Sequence, residues 1–183
     1  EPTKEAQEEL LIKRLRGGPP PNSSLVTSWA ADELSNRGVK KALPDIINSI
    51  RHRNPTEDGE EQIRLCKIKI QLLCTSPTRY DALTKALVME DKTQYQRLKT
   101  WAIKELGKLK TDESRWTLIN YALELQNKFY DDNRKWIGRR GDPETSNAQE
   151  FYRTIIKILK KANMTDAEIK TTGLRPDEFF FGP

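Results

Sequence analysis

Apolar residues recur along this chain every three or four positions, which is the spacing of one face of an α-helix. Leu98, Ala102 and Leu106 form one such row, and no segment shows the strict alternation that a half-buried strand requires. The pattern therefore predicts an all-α protein. Its helices are expected at residues 4–16, 24–37, 40–53, 60–75, 77–89, 93–109, 111–136 and 148–162, followed by a last short helix from residue 165.

Polar residues and prolines at the ends of these segments indicate where helices begin. Ser76 followed by Pro77 is typical of an N-cap with proline at the first helical position. Thr165 and Glu168 match a capping box, in which each side chain bonds the backbone of the other residue. Residues 138–147 are polar and rich in arginine and glycine, which predicts a loop.

Some segments of the sequence resemble one another. Ser-Trp-Ala-Ala-Asp-Glu-Leu at residues 28–34 resembles Thr-Trp-Ala-Ile-Lys-Glu-Leu at residues 100–106. Residues 79–87 match residues 115–123 at a spacing of 36 residues, which lies in the range of stacked helical repeats.

Three helix pairs align on this basis, at residues 24–53, 60–89 and 93–127. The alignment gives three sets of equivalent positions. Trp29, Cys66 and Ala102 are equivalent on the first helix of each pair. On the second helix, Ile46, Leu83 and Ile119 form one equivalent set, and Ser49, Ala86 and Ala122 form another. One pair cannot bury its apolar stripe alone, whereas stacked pairs build a continuous core.

The string Trp-Ala-Ile-Lys-Glu-Leu-Gly-Lys-Leu at residues 101–109, with a short turn and a second helix after it, resembles HEAT/armadillo-type helical repeats. The chain departs from that pattern in lacking the typical proline of the first helix and in its unequal repeat spacing, 37 and then 36 residues. The resemblance implies a right-handed, α-solenoid-like stack of antiparallel helix pairs with extra terminal helices and a concave binding face. The alternative is an irregular helical bundle.

The predicted elements divide the chain into four parts. An amphipathic N-terminal helix or arm covers residues 1–16, and a Gly/Pro hinge covers residues 17–23. The helical repeat domain covers residues 24–164, and a short helix with a Phe-rich tail covers residues 165–183.

Both terminal parts carry apolar residues that suit docking. The six candidate docking residues are Leu11, Ile12, Leu15, Phe179, Phe180 and Phe181. Each segment either contacts a partner or a second copy of the chain, or folds back on its own body. An isolated helix of this length is marginal in water, which favours folding back for the first segment. A role in capping the open end of the stack is favoured for the tail.

The composition indicates a folded protein with a heavily charged surface, because 36% of the residues are hydrophobic and 32% are charged. The net charge of +5 permits an acidic partner without demanding one, since most charges alternate in sign. No signal peptide is visible, and no apolar stretch approaches the roughly 20 residues of a membrane span. We therefore expect an intracellular protein, cytoplasmic or nuclear, without membrane contact.

Basic residues collect in three clusters, and each is a candidate contact for nucleic acid. The candidates are Lys40, Lys41, Arg51 and Arg53 in the first cluster, Lys128, Arg134, Lys135, Trp136, Arg139 and Arg140 in the second, and Lys157, Lys160 and Lys161 in the third. The second cluster interleaves cations for phosphate contacts with aromatic rings for base stacking. The alternative for each cluster is a solvated helix end whose cations complement the helix dipole.

The sequence offers little for catalysis or metal binding. His52 is the only histidine, and it stands between two arginines with nothing to orient it. Cys66 and Cys74 are eight positions apart in one predicted helix, roughly 12 Å along its axis, which is too far for a disulfide. We therefore expect buried, reduced thiols, no metal, no cofactor and no enzymatic activity.

The HEAT resemblance adds one enzymatic alternative, because some HEAT-type stacks are DNA glycosylases that use Trp and Asp side chains of the concave face. The residues of this chain that superficially match are Trp101, Trp116, Trp136, Asp131 and Asp132. Tryptophans in repeat-equivalent slots are more often part of the core, so this alternative ranks last.

Two functional hypotheses remain. The first is a non-enzymatic scaffold for protein–protein interaction or self-association, with homo-oligomers formed through the N-terminal arm. The second is an RNA- or DNA-binding protein, nucleocapsid-like or other, that uses the basic clusters. The interleaved acidic residues favour the scaffold, and the positive net charge favours nucleic acid.

Overall fold

A computed structural model describes residues 3–17, 24–53, 56–89, 95–129 and 143–176. Within these ranges the chain forms nine α-helices, a short 3₁₀ helix at Lys40–Ala42 and no strand, which confirms the all-α prediction. The helices are α1 (Lys4–Gly17), α2 (Ser24–Arg37), α3 (Leu43–Arg53), α4 (Glu57–Thr75), α5 (Arg79–Leu87), α6 (Gln96–Leu109), α7 (Asp112–Phe129), α8 (Pro143–Lys161) and α9 (Asp166–Thr171).

Two predicted helix starts are wrong, and each has a local reason. Helix α8 begins at Pro143, so the second half of the predicted loop at 138–147 is helical. The first turn of α8 carries proline and Glu144, which suit a helix N-terminus. Helix α5 is capped by Thr78 instead of Ser76, because the Thr78 hydroxyl accepts from the Asp81 amide and Asp81 accepts from the Thr78 amide.

The capping box predicted at the start of α9 is confirmed. The Thr165 hydroxyl accepts a hydrogen bond from the Glu168 amide, and the Glu168 carboxylate accepts one from the Thr165 amide at 2.7 Å. The amide and the hydroxyl of Thr165 both donate to this carboxylate, which stabilises its ionised form and therefore lowers the pKa of Glu168 below its ordinary value.

The helices pack into two compact units, Glu1–Ala82 and Leu83–Pro183, with the division inside α5. In the first unit α2, α3 and α4 contact one another, and α1 lies against α2 and α3. In the second unit α6, α7 and α8 contact one another in the same pairwise pattern. The structure thus contains packed neighbouring helices in each unit.

Helix α1 folds back on its own unit. Leu11, Ile12 and Leu15 are buried in the core that α2, α3 and α4 also build. Polar contacts line both edges of the helix. They are a bidentate ion pair from Arg16 to Asp45 at 2.8 Å, an ion pair from Lys41 to Glu9 at 2.7 Å, and a hydrogen bond from Arg37 to Gln7 at 3.4 Å.

Charged and polar groups are buried where α2 meets α4. Lys69 is only 4% exposed, and its ammonium donates to Asn36 Oδ1 at 3.0 Å and lies 3.5 Å from Asp32 Oδ1. Gln62 also donates to Asp32 at 3.0 Å. A buried ammonium needs such partners, because its desolvation would otherwise cost several kcal/mol by order of magnitude.

Burial recurs along the chain with a constant period of 36 residues. Ala30, Cys66 and Ala102 are each fully buried and stand 36 residues apart. The same spacing relates two further buried sets, Leu34, Ile70, Leu106 and Ile46, Ala82, Leu118. The predicted equivalence of Trp29 with Cys66 and Ala102 is therefore wrong by one residue. Ala30 occupies that buried position, whereas Trp29 is 51% exposed.

Gly38 permits a tight exit from α2. Its φ of +71° lies in the left-handed region, which glycine adopts without a steric penalty. The amide of Val39 then donates to the Leu34 carbonyl. A Cβ on Gly38 would also stand 2.9 Å from the Cβ of Leu73 on α4, so the glycine allows close helix packing as well.

A buried tyrosine joins the C-terminal turn to the second unit. The Tyr152 hydroxyl donates to Gln126 Oε1 at 2.9 Å and accepts from the Arg175 amide at 2.8 Å. Gln126 in turn donates to the Gly173 carbonyl at 3.1 Å. Ile169 and Leu174 are buried beside this network, so α9 and the following residues belong to the core of the second unit.

The two cysteines differ in environment. Both are free thiols, and Cys66 is buried as predicted, whereas Cys74 is exposed, which corrects the prediction for that residue. Burial raises the pKa of the Cys66 thiol, partly offset by a hydrogen bond with Ser35.

Replacing Leu11 tests the docking of α1. L11A removes a buried side chain and should lower the free energy of unfolding by about 2–5 kcal/mol, whereas L10A alters a side chain that is 52% exposed and should change it by about 0.5 kcal/mol at most. Urea unfolding with hydrogen exchange of the α1 amides makes the comparison. Equal effects of the two changes would show that α1 does not pack as described.

Acid titration tests the α9 capping box. Because the folded state lowers the pKa of Glu168, its contribution to stability is fully present above the unfolded pKa and is lost as pH falls through the folded pKa. NMR titration of the Glu168 carboxyl carbon should give a midpoint below 4.5 in the wild type. The T165A variant should shift that midpoint upward, and an unchanged midpoint would contradict the capping box.

Candidate interaction surfaces

Ion pairs within the chain engage Lys41 and Arg51 of the first basic cluster. Lys41 pairs with Glu9 at 2.7 Å, and Arg51 lies 3.4 Å from Glu60 on α4. The hydrogen bond between Lys41 and Glu9 raises the pKa of Lys41 and lowers that of Glu9. Lys40, Arg53 and His52 are exposed. Two carboxylates thus reduce the positive field at this predicted site.

The second cluster lies mostly outside the described residues. Of its predicted members, the structure describes Lys128, which pairs with Glu144 across the gap between α7 and α8. Its ammonium also lies 5.3 Å from the centre of the Phe129 ring. Arg134, Lys135, Trp136, Arg139 and Arg140 fall in the undescribed segment 130–142. Their role in nucleic-acid binding stays a prediction.

The third cluster is exposed at the end of α8. Lys160 pairs with Asp166 at 2.8 Å, whereas Lys157 and Lys161 form no ion pair with another described residue. Lys128 pairs with Glu144 near the start of α8, so about 13 residues, or roughly 20 Å of helix, separate this pair from Lys157. Lys128 and the third cluster therefore do not form one surface among the described residues of the second unit.

The structure brings a further pair of lysines next to the third cluster. Lys104 and Lys108 are exposed on α6, which packs directly against α8. Neither was a candidate in the sequence, because about 50 residues separate them from Lys157 and no local pattern links the two helices. Only the helix packing makes them neighbours.

The structure describes three of the six predicted docking residues. Leu11, Ile12 and Leu15 are core residues, so folding back of the first helix is confirmed and these side chains offer no exposed surface. A role for them in homo-oligomers would require α1 to leave its unit. Phe179, Phe180 and Phe181 lie outside the described residues, and their role stays a prediction.

Two tryptophans are exposed on helix surfaces. The sequence named Trp116 only under the glycosylase alternative and did not mark Trp29 as a contact residue. Trp29 on α2 is 51% exposed, and Trp116 on α7 is 57% exposed. The guanidinium of Arg14 lies 5.7 Å from the centre of the Trp29 ring, in the range of a cation–π contact. Arg115, beside Trp116, pairs with Asp112 at 3.3 Å. The other exposed large apolar side chains of the described residues are Leu10 and Val88.

The residues that matched a glycosylase do not form a described site. Trp101 is buried, as expected of a core residue, whereas Trp116 is 57% exposed on a different helix, so the same expectation is wrong for Trp116. Trp136, Asp131 and Asp132 lie outside the described ranges. Of the five residues, the structure therefore describes only the two tryptophans.

Among the described residues no group of three or more His, Cys, Asp or Glu side chains is arranged to hold a metal ion. A shallow surface depression at the start of α4 is lined by Thr56, Glu57, Glu60, Glu61 and Arg64. Its acidic residues lie in the first turns of the helix, where they complement the dipole.

Comparisons with protein-family models, curated proteins and solved structures find no significant match to this chain. In the described part of the chain, no helix has the length and apolar character that crossing a membrane requires.

Fluorescence tests the tryptophan environments directly. Variants that keep a single tryptophan and replace the other three by phenylalanine should separate into two classes, because a quencher in water reaches only exposed rings. Acrylamide should quench Trp29 and Trp116 several-fold more efficiently than Trp101, which is 7% exposed. Equal quenching of all three would contradict the described surfaces.

Proposed function

We propose that this chain is a non-enzymatic binding module in which a helical scaffold presents tryptophan side chains to a protein partner or to a second copy. The observation that carries the proposal is the exposure of Trp29 and Trp116 on two different helices. The other tryptophan that the structure describes, Trp101, is buried, so exposure is not general to this residue type in the chain.

Energetics support tryptophan as a contact residue. An exposed indole leaves a large apolar area in water, and burying that area against a partner is favourable. Tryptophan and arginine are enriched among the few residues that dominate binding energy at interfaces. Arg14 beside Trp29 therefore places both types together on one surface.

Packing supports the scaffold part of the proposal. Each unit holds three mutually packed helices, with small and apolar residues turned inward and most charged residues exposed. We also propose the finer architecture, a right-handed α-solenoid-like stack of helix pairs. The 36-residue period of burial supports it, since each 36-residue segment then repeats the same packing positions.

Single substitutions test the proposal. W29S and W116S should each weaken binding of a partner by roughly 30-fold if that tryptophan is an interface hot spot, because such residues cost about 2 kcal/mol or more on truncation. L10S and V88S are matched controls, since they also remove an exposed large apolar side chain. Sedimentation over a range of concentrations detects self-association, and immobilised protein detects partners from an extract of the source cells.

The comparison between variants decides the outcome. Loss of self-association or of specific captured proteins in W29S or W116S, with retention in L10S and V88S, supports the proposal. Identical sedimentation and identical captured proteins for the wild type and both tryptophan variants would contradict it. Near-native unfolding curves are expected for all four variants, because each changes an exposed side chain.

A further inference from the structure

The second unit has a point of very close approach between α6 and α8. A Cβ added to Gly107 would lie 2.7 Å from Cγ2 of Ile158, so the glycine allows the two helices to meet. Lys104 and Lys108 lie within about one turn of Gly107, and Lys157 and Lys161 within about one turn of Ile158. With helix axes about 8–10 Å apart, the four lysine Cα atoms lie within roughly 15 Å of one another. We call these four residues the lysine face.

The charges of the lysine face are largely unbalanced. Lys108 pairs with Glu105, whereas Lys104, Lys157 and Lys161 form no ion pair with another described residue. Each helix contributes two lysines at the i,i+4 spacing, at which like charges repel and destabilise the helix.

The helix dipole explains only part of this arrangement. Lys108 and Lys161 stand in the last turns of their helices, where a cation complements the dipole. Lys104 and Lys157 lie one turn further inside and gain less, because the effect falls off beyond the last turn. The packing therefore concentrates positive charge at a place where the described fold does not use it.

The side chains of this face favour nucleic acid over an acidic protein as the polyanion that it binds. Protein interfaces combine polar groups with an apolar or aromatic centre. The exposed large apolar residues of the described chain are Leu10, Trp29, Val88 and Trp116, and none of them belongs to α6 or α8. A face of cations without an apolar anchor matches the phosphate backbone of nucleic acid, where neutralisation and counterion release supply the binding energy.

We infer that the lysine face binds the phosphate backbone of nucleic acid without reading its sequence. Lysine ammonium groups act as point charges on phosphates, whereas base recognition commonly requires planar, bidentate groups in fixed positions. This inference goes beyond the proposed tryptophan surfaces and does not depend on them. It also assigns nucleic-acid binding to a set of residues that differs from the three clusters of the sequence, since Lys104 and Lys108 belong to none of them.

Charge-matched variants test the inference. K104Q/K157Q/K161Q removes three charges from the lysine face, and K4Q/K13Q/K67Q removes three exposed lysine charges from the first unit. A short fluorescein-labelled RNA is titrated with the full-length protein and followed by anisotropy at about 50 and about 200 mM salt. The first variant should lose at least tenfold in affinity at the lower salt concentration. The slope of log affinity against log salt concentration should also fall in magnitude by about 2, because each lost phosphate contact on a single strand removes about 0.7. The control should lose less than about threefold, since its lysines contribute only to net charge.

Two further measurements keep the result decisive. R134S/K135S/R139S/R140S removes cations of the second predicted cluster, and labelled poly-glutamate replaces the phosphates by carboxylates. Equal affinity losses in the two lysine variants, or loss of RNA binding only in the quadruple variant, would overturn the inference. So would absence of RNA binding at about 50 mM salt in the wild type. Binding of poly-glutamate but not RNA at the lysine face would overturn the inference and assign the face to an acidic protein.

Thermal unfolding should show no loss of stability in K104Q/K157Q/K161Q. The relief of repulsion between neighbouring lysines offsets the loss of the favourable contact of Lys161 with the helix dipole.

Discussion

Close approach of neighbouring helices at small residues is the constraint on which both units depend. Ala30, Cys66 and Ala102 are fully buried at a spacing of 36 residues, and Gly107 meets Ile158 with no room for a side chain. When helices pack this tightly, each buries its inner face completely and turns its remaining residues to water. Charged residues then fill the outer faces, because a chain with 32% charged residues has few other places for them. The positions of the small residues in the sequence therefore determine which residues form the exposed surfaces of each unit.

Several polar groups that the packing buries are paired, and these pairs fix how elements meet. Lys69 is held between Asn36 and Asp32, which ties α4 to α2 through a charge that only this arrangement satisfies. Tyr152 does the same in the second unit, where its hydroxyl bonds Gln126 and the Arg175 amide. Removing one partner from such a group leaves a desolvated polar atom, whereas an apolar contact tolerates small shifts. We infer that apolar burial supplies most of the stability, while these polar contacts select one packing among several of similar apolar content.

Periodicity and capping residues predicted most of the helices, because both depend on neighbours in sequence. The Thr165–Glu168 box and the buried face of α1 are examples, and each appears in the structure as expected. The starts of α5 and α8 were wrong for local reasons, whereas the other failures required information from distant residues. The repeat alignment placed Trp29 in the same position as Cys66 and Ala102, which are fully buried, yet Trp29 is exposed. The neighbouring helix α1 packs through Leu11, Ile12 and Leu15, and its Arg14 lies over the ring of Trp29. Likewise the proximity of Lys104 to Lys157 follows from the contact of Gly107 with Ile158, and no spacing within either helix encodes it.

The two kinds of exposed surface differ in the conditions under which they contribute binding energy. An indole surface gains by removing apolar area from water, a contribution that salt leaves largely intact, and it needs a partner of complementary shape. A lysine surface gains by displacing counterions, so its contribution falls steeply as salt rises and demands little shape complementarity. Within the second unit the exposed indole of Trp116 stands on α7, and the lysine face stands on α6 and α8. Because different helices carry them, a substitution in one surface need not alter the other. Salt dependence alone therefore separates their contributions, even when a partner contacts both.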